Sequence, residues 1–291
     1  MATLQQIFSI DLCAYAVMSN HYHVVLRIDR DAARQWSEDE VIARWSQLFC
    51  IPLVVERLGS AERISEAERA KALEIVEIWR TRLHDVSWFM RCLTEHLARR
   101  ANAEDQCKGR FWERRFKSQA LLDEAGLLTC MSYVDFNPIR ACIASMPEDS
   151  EYTSIYTWIS SMATTTSGSN QKDATDDRDP NRPILLPFRS PPYAKSTALP
   201  FYLTDYLDLV DWTGRAIRDD KRGYIPGSLP PILYRLGIDP DHWLKQIQRK
   251  NDHFSRAIGR IHTLAAHAQG IGQQWIKGMQ LSRRLYADIT G

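Results

Sequence analysis

The chain has 291 residues, a net charge of +1, 44% hydrophobic residues and 25% charged residues. This composition is that of a globular protein and excludes a collagen-like, coiled-coil or wholly disordered chain. No apolar run is long enough to cross a bilayer, and the first residues lack the features of a signal peptide, so we expect a cytoplasmic protein without membrane contact. Six cysteines without a C-x-x-C pair predict free thiols and no zinc knuckle.

A β-hairpin is the first predicted element. Residues 14–28 contain two apolar stretches that are interrupted at Ser19 and Asn20, a pattern that predicts two short strands. The pattern then changes to helix, with S-x-x-E capping boxes that begin at Ser37 and at Ser65. We therefore predict a helical insertion over about residues 30–85.

Three further elements complete the first part of the chain. The spacing of apolar residues in 87–102 predicts an amphipathic helix, and the sequence of residues 109–118 predicts an extended segment. Asp123 is placed to cap a helix that runs through Phe136, and the following Asn137-Pro138 pair predicts the end of that helix.

A change of composition predicts a domain boundary. Residues 162–182 are rich in Thr, Ser, Asn and Asp and almost lack large apolar side chains, which is typical of a flexible linker. We therefore predict a first domain over residues 1–161 and a basic α-helical domain over residues 183–291. The helices of the second domain are predicted to begin near Thr204, Pro230 and Pro240.

Two segments are strongly basic although the net charge of the whole chain is close to neutral. Residues 242–286 hold eight basic residues against one acid, a local charge of +7, and residues 91–117 hold eight against four, a local charge of +4. Aromatic residues are interleaved in both segments, which suits phosphate neutralisation combined with base stacking. A solvated helix face explains either segment alone, but two such segments favour a nucleic-acid partner.

Four residues are candidates for chemistry. His21 and His23 lie two apart on the second predicted strand, so both imidazoles project from one face and are close enough to share an ion. Tyr133 and Asn137 lie four apart on the predicted helix and share a face beside its apolar stripe. By themselves, these patterns also fit an ordinary histidine pair and a tyrosine that packs at the margin of the core.

Four ordered blocks of sequence carry a family resemblance. The blocks AYAVMSNHYHVVLRI, SWFMRCLTEHLARRAN, GRFWERRFKS and YVDFNPIRA resemble the single-tyrosine HUH transposases, most closely the REP-associated tyrosine transposases of bacteria. The match covers about residues 13–143. The resemblance implies an α+β fold with a ferredoxin-like antiparallel sheet and helices on one face. Since only about a dozen residues precede the hairpin, we expect the first strand of that sheet to be missing.

The resemblance also assigns functional roles. It places Tyr133 as the nucleophile and His21, His23 and Asn137 as ligands of a divalent metal, Mg²⁺ or Mn²⁺. It implies nicking and strand transfer on single-stranded or hairpin DNA through a 5′-phosphotyrosine, with a nucleoid-associated location. We expect phosphate contacts and base stacking from the basic segment around Trp112, namely from Arg110, Trp112, Arg114, Arg115 and Lys117.

Two other functions remain open at this point. One is a DNA-binding relative that has lost catalysis, and the other is a hydrolytic metal phosphoesterase that uses His21 and His23. The sequence also leaves open whether Tyr133 would act within its own subunit or across a homodimer.

Overall fold

The computed structural model describes residues 1–59, 64–166, 183–190, 197–217, 229–248 and 256–286. Helices predominate in a mixed α+β arrangement, which confirms the predicted class at that level. In chain order the helices are α1 (Ala2–Ile7), α2 (Arg30–Gln35), α3 (Glu38–Ser46), α4 (Leu53–Glu56), α5 (Glu66–Arg82), α6 (Val86–Glu104), α7 (Glu124–Asp135), α8 (Asn137–Arg140), α9 (Ser154–Thr166), α10 (Leu203–Ala216), α11 (Pro231–Arg235), α12 (Pro240–Gln248), α13 (Ile261–Gly270) and α14 (Met279–Leu285). In the part of the chain that is described, none of these helices is long and apolar enough to cross a membrane.

The strands of the described residues pair two by two. They are β1 (Ile10–Val17), β2 (Tyr22–Ile28), β3 (Ala120–Leu121), β4 (Phe188–Arg189), β5 (Leu199–Tyr202) and β6 (Ala257–Ile258). β1 pairs with β2, β3 pairs in parallel with β6, and β4 pairs in parallel with β5. The predicted hairpin is therefore present, and the amide of Met18 closes its turn by donating to the carbonyl of His21 over 2.9 Å. Residues 109–118, which the sequence predicted to be extended, form no strand.

The chain divides into two compact units. The first comprises Met1–Leu12, Leu26–Phe116 and the described residues 183–184, whereas the second comprises Cys13–Val25, the described chain from Lys117 to residue 166, and the described residues from Leu185 onward. The hairpin thus contributes residues to both units.

The first unit holds the predicted helical insertion, which forms α2 to α5. Ser37 caps α3, since its hydroxyl accepts from the amide of Glu40, and Ser65 forms a complete capping box with Glu68 at α5. α6 matches the predicted amphipathic helix, begins one residue earlier, and is capped by the carboxylate of Asp85. Phe89 of this helix packs edge-on against Phe8, with ring centroids 5.5 Å apart.

The second unit has one large hydrophobic core. Leu128 and Met131 of α7, Tyr206 of α10 and Trp243 of α12 are all almost completely buried in it. This core combines chain from before and after the predicted linker. The linear division at residues 161 and 183 stays a prediction, because residues 167–182 of the linker lie outside the described residues and residues 162–166 belong to α9.

The helix that bears Tyr133 starts and ends close to the predicted positions. The carboxylate of Asp123 caps α7 by accepting from the amide of Gly126 over 2.8 Å. The helix ends at Asp135, but a further helical turn, α8, begins at Asn137. Proline fits the first turn of α8 because its missing amide would have no partner there, so the Asn137-Pro138 pair separates two helices and does not end helical structure.

Candidate functional site

The two histidines of the H-x-H pair contact each other in the second unit. His21 lies in the turn just before β2 and is exposed, while His23 lies on β2 and is half-buried. Their ring centroids are 5.1 Å apart and the rings are nearly perpendicular. At this separation one nitrogen of each imidazole can approach a common ion at a bond length of about 2.1 Å.

Asn20 orients the first imidazole. Its side-chain oxygen lies 2.6 Å from Nδ1 of His21. An oxygen acceptor at this position places the ring proton on Nδ1 and leaves the lone pair of Nε2 for a metal or another donor. The sequence had assigned Asn20 only to the turn.

Tyr133 lies beside the histidine pair although it is more than a hundred residues away in sequence. Its ring centroid is 6.3 Å from that of His23, again with perpendicular rings. The tyrosine is only 3% exposed. The site therefore brings together the imidazoles and the phenol that the sequence nominated, with the phenol in the core and the first imidazole at the surface.

Arg140 of α8 holds the phenol from two directions. Its Nη2 donates to the hydroxyl oxygen of Tyr133 over 2.8 Å, and its guanidinium carbon lies 3.9 Å from the centre of the tyrosine ring. A charged donor at a phenol oxygen stabilises negative charge there. Arg140 was not among the residues predicted from the sequence, although it stands two helical turns after Tyr133, a spacing that puts two residues on the same side of a helical segment.

Asn137 is the first residue of α8 and is 7% exposed. Its amide nitrogen has no hydrogen-bond partner among the described residues. Amide nitrogen and oxygen differ only in their hydrogen-bonding role, so this buried end can equally present an oxygen. A buried amide with an unused polar end suits a group that a substrate or a metal completes.

The donor set fits a divalent metal in its chemistry. Two imidazoles and a neutral amide oxygen are acceptable ligands for Mn²⁺ or Mg²⁺, with nitrogen favouring Mn²⁺. Within the described ranges, no group of three or more His, Cys, Asp or Glu side chains could hold a metal. A metal at His21, His23 and Asn137 would therefore have no carboxylate ligand, and we expect its binding to be weak until a phosphate adds negative charge.

The tyrosine within the H-x-H motif is poorly suited to act as a nucleophile. Tyr22 lies between the two histidines in sequence, so strand alternation directs its side chain away from theirs, and burial raises the pKa of its phenol to about 12. Since the phenolate is the stronger nucleophile, this environment disfavours attack by Tyr22. Tyr133, which receives a hydrogen bond from a guanidinium, is the better candidate.

A buried carboxyl group fixes the helix of Tyr133. Asp135 is 1% exposed and accepts hydrogen bonds from the hydroxyl of Ser154 over 2.5 Å, from the hydroxyl of Tyr206 over 2.5 Å and from the amide of Ile155 over 3.0 Å. Burial raises the pKa of Asp135 to about 6, and the three donors oppose that rise. Burial and the adjacent carboxyl raise the pKa of Tyr206 well above its ordinary value.

Asp123 anchors the opposite end of the same helix. While its Oδ1 caps α7, its Oδ2 accepts from the amide of Arg260 over 2.6 Å and from the hydroxyl of Thr263 over 2.8 Å. The position of Tyr133 therefore depends on residues near the end of the chain. The sequence predicted the cap, but not that the same carboxylate binds α13.

The predicted DNA contacts are divided between the units. Arg110, Trp112, Arg114 and Arg115 belong to the first unit and Lys117 to the second. The indole of Trp112 donates to the carbonyl of Thr94 over 2.9 Å, which leaves it half-buried. The four cationic residues of the set are exposed, as phosphate contacts require.

Comparison with known proteins gives no family. No protein-family model, no curated protein and no solved structure matches the chain.

Proposed function

We propose that this protein is a metal-dependent single-strand DNA endonuclease and strand transferase with Tyr133 as its nucleophile. The observation that carries the proposal is the contact of Tyr133 with the H-x-H pair: the ring of His23 lies 5.1 Å from that of His21 and 6.3 Å from that of Tyr133. The proposal includes the HUH transposase fold with its ferredoxin-like sheet, and single-stranded or hairpin DNA as the partner.

The chemistry is a transesterification. The phenol oxygen of Tyr133 attacks phosphorus and loses its proton to solvent. The bond from phosphorus to the 3′ oxygen of the preceding nucleotide breaks, and that oxygen takes up a proton. The products are a 5′-phosphotyrosine and a free 3′-hydroxyl, and a second 3′-hydroxyl can reverse the step because the phosphodiester energy is retained.

His21, His23 and Asn137 would hold the divalent metal in this proposal. The chemistry that such a metal would supply is polarisation of a non-bridging phosphate oxygen and orientation of the scissile bond. Asn20 would support the ligand set, because an oxygen acceptor at Nδ1 of His21 favours the neutral tautomer that carries its lone pair on Nε2.

Arg140 would orient the nucleophile. Its hydrogen bond to the phenol oxygen limits the directions from which that oxygen can meet a phosphate, and its charge stabilises the phenolate as the proton leaves. The stacking of the guanidinium on the ring keeps the side chain in place. Loss of Arg140 should therefore lower the rate of attack more than the affinity for DNA.

The burial of Tyr133 favours a second candidate function, that of a DNA-binding relative without catalysis. A phenol that is 3% exposed gives a phosphodiester little access unless the strand enters the site or Arg140 moves. This candidate predicts salt-dependent binding of hairpin DNA without a covalent product.

Trapping of the covalent intermediate tests the proposal and separates the two candidates. Wild-type protein, Mn²⁺ and a hairpin oligonucleotide with a single-stranded flank should give a protein–DNA adduct that withstands denaturing electrophoresis. The adduct should be absent in Tyr133→Phe and unchanged in Tyr152→Phe, a matched control at an exposed tyrosine. An equal yield in Tyr133→Phe contradicts the nucleophile assignment. Binding without an adduct in the wild type supports the inactive relative, and cleavage without an adduct supports a hydrolytic phosphoesterase.

A further inference from the structure

An open aromatic groove lies in the first unit, in the helical insertion. It has a volume of about 490 Å³, and its walls come from α3, α5, α6 and the segment after α3. The residues that matter most are Trp45, Phe49, Trp79, Trp88, Arg82 and Arg91. None of them belongs to the nucleophile or the metal ligand set.

Part of the aromatic cluster is a core and part of it is a surface. Trp45 and Trp79 are each 4% exposed and stack in parallel, with ring centroids 5.3 Å apart. Phe49 and Trp88 are half-buried and meet edge-on at 5.9 Å. Since the buried indoles support the two outer rings, the groove presents a rigid aromatic lining to solvent.

Two arginines give the groove its charge. The guanidinium of Arg82 lies 4.3 Å from the ring centre of Trp88 and 5.7 Å from that of Trp45, and that of Arg91 lies 5.0 Å from Trp88. Such stacking holds a guanidinium flat and still leaves its edge able to bind an anion.

Among the described residues, neither groove arginine has a close carboxylate partner of the kind that Arg44 and Arg80 have. Arg44 and Arg80 each pair with a carboxylate on their own helix, at 2.7 and 2.9 Å. Arg82 forms no ion pair with any residue that the structure describes, and Arg91 has only Glu95 at 4.0 Å. No carboxylate lines the described part of the groove. The groove is therefore complementary to a partner that is both planar and anionic.

We propose that this groove binds an unpaired base of single-stranded DNA, with Arg82 and Arg91 on the flanking phosphates. Aromatic rings and guanidinium planes are the surfaces on which unstacked bases stack, and a base with its phosphate supplies the matching negative charge. A cationic or purely apolar ligand would leave two arginines unmatched. The groove itself favours a nucleotide strand, and the choice of DNA over RNA rests on the proposed function.

Binding of matched oligonucleotides tests the proposal. Full-length protein is titrated against fluorescent hexathymidylate and against an abasic hexamer with the same phosphates, and the ratio of the two affinities isolates the contribution of the bases. One stacked base should make hexathymidylate bind about 5- to 150-fold more tightly. Trp88→Leu should reduce this ratio by at least about fivefold, and Arg82→Gln should weaken both oligonucleotides.

Arg99→Gln provides the matched control. Arg99 is exposed on α6, like Arg91, and both contact Glu95, but Arg99 does not line the groove. This variant should leave the affinity for each oligonucleotide close to that of the wild type, whereas Arg82→Gln lowers both. Equal affinities for the two hexamers, an unchanged ratio in Trp88→Leu, or tighter binding of the matched RNA than of the DNA would overturn the proposal.

Photocrosslinking of the wild-type protein locates the base without any substitution. A single-stranded DNA with one 5-iodouracil should crosslink to peptides that contain Phe49 or Trp88. Crosslinks confined to other peptides would show that the base binds at another site and would overturn the proposal. A change in oligomeric state as the main effect of Trp88→Leu would show that the groove binds a second copy of the chain, which would also overturn it. Base-dependent binding should persist in Tyr133→Phe, so failure of the groove and failure of the nucleophile assignment give different results.

Discussion

The buried carboxyl group of Asp135 should make the protein less stable as the pH rises from about 4 to 7. Asp135 is 1% exposed, and burial raises its pKa to about 6, compared with about 3.9 for an exposed aspartate. The folded state therefore keeps this proton to a higher pH than the unfolded state does. The stabilisation is full below about pH 4 and is lost as the pH rises through about 6.

The size of the effect follows from the two pKa values. A difference of about two pH units corresponds to about 3 kcal/mol, of which about 2 kcal/mol falls between pH 4.5 and 7.5. Asp135→Asn removes the ionisable group and can keep the three hydrogen bonds to Ser154, Ile155 and Tyr206. The amide oxygen can accept from Ser154 and Ile155, and the amide nitrogen can donate to the hydroxyl oxygen of Tyr206.

Urea unfolding at pH 4.5 and 7.5 measures the prediction. We expect the stability of Asp135→Asn relative to the wild type to rise by about 2 kcal/mol from the lower to the higher pH. Asp211→Asn removes an exposed carboxylate that pairs with Arg215, and it reports the effect of net charge alone. If the difference between Asp135→Asn and the wild type is the same at both pH values, Asp135 does not titrate in this range and the reasoning is wrong.

Three further substitutions test the packing by urea unfolding. Gly126→Ala should lower the free energy of unfolding by about 1–3 kcal/mol despite the helix preference of alanine, because the new Cβ would lie 2.7 Å from the carbonyl oxygen of Ile258. Gly270→Ala, which has open space around its Cβ position, should be neutral or stabilising. Equal losses of stability in the two variants would contradict the close contact at Gly126. Tyr286→Phe should cost about 1 kcal/mol, because it removes the 2.9 Å hydrogen bond to Thr129, and no loss would show that this bond does not stabilise the fold. Ser65→Ala should cost about 1 kcal/mol through loss of the α5 cap, and an unchanged midpoint would refute that role.

Local sequence signals predicted the elements that depend on neighbouring residues. Ser37, Ser65 and Asp123 cap helices at the expected positions, because a cap needs only a side-chain oxygen and an amide two or three residues later. The interruption at Ser19 and Asn20 likewise becomes the turn between β1 and β2. Such signals are contained in the few residues that form each feature.

Features formed by distant residues could not be predicted in this way. Asp135 looked like an ordinary residue at the end of a helix, since its partner Tyr206 lies 71 positions later. The aromatic groove is equally invisible in the sequence, because Trp45, Trp79 and Trp88 come from three different helices. Each depends on tertiary packing, which spacing within one segment does not report.

Three of the predicted site residues lie close together, but their roles stay a prediction and their environment was not predicted. The H-x-H motif and the resemblance nominated His21, His23 and Tyr133; the ring centroids of the two histidines are 5.1 Å apart, and those of His23 and Tyr133 are 6.3 Å apart. The burial of the phenol and its contacts with Arg140 were not predicted. They matter because they determine whether a phosphodiester can reach the hydroxyl.

The most direct test of the proposed function is to identify the residue that carries DNA after reaction. Protein treated with Mn²⁺ and hairpin DNA is digested with protease and nuclease, and the modified peptide is sequenced by mass spectrometry. We expect a phosphodiester between the hydroxyl of Tyr133 and the 5′ end of the downstream strand. A linkage at another residue, a linkage through the 3′ end, or the absence of any linked peptide in a reaction that has cleaved the DNA would contradict this expectation.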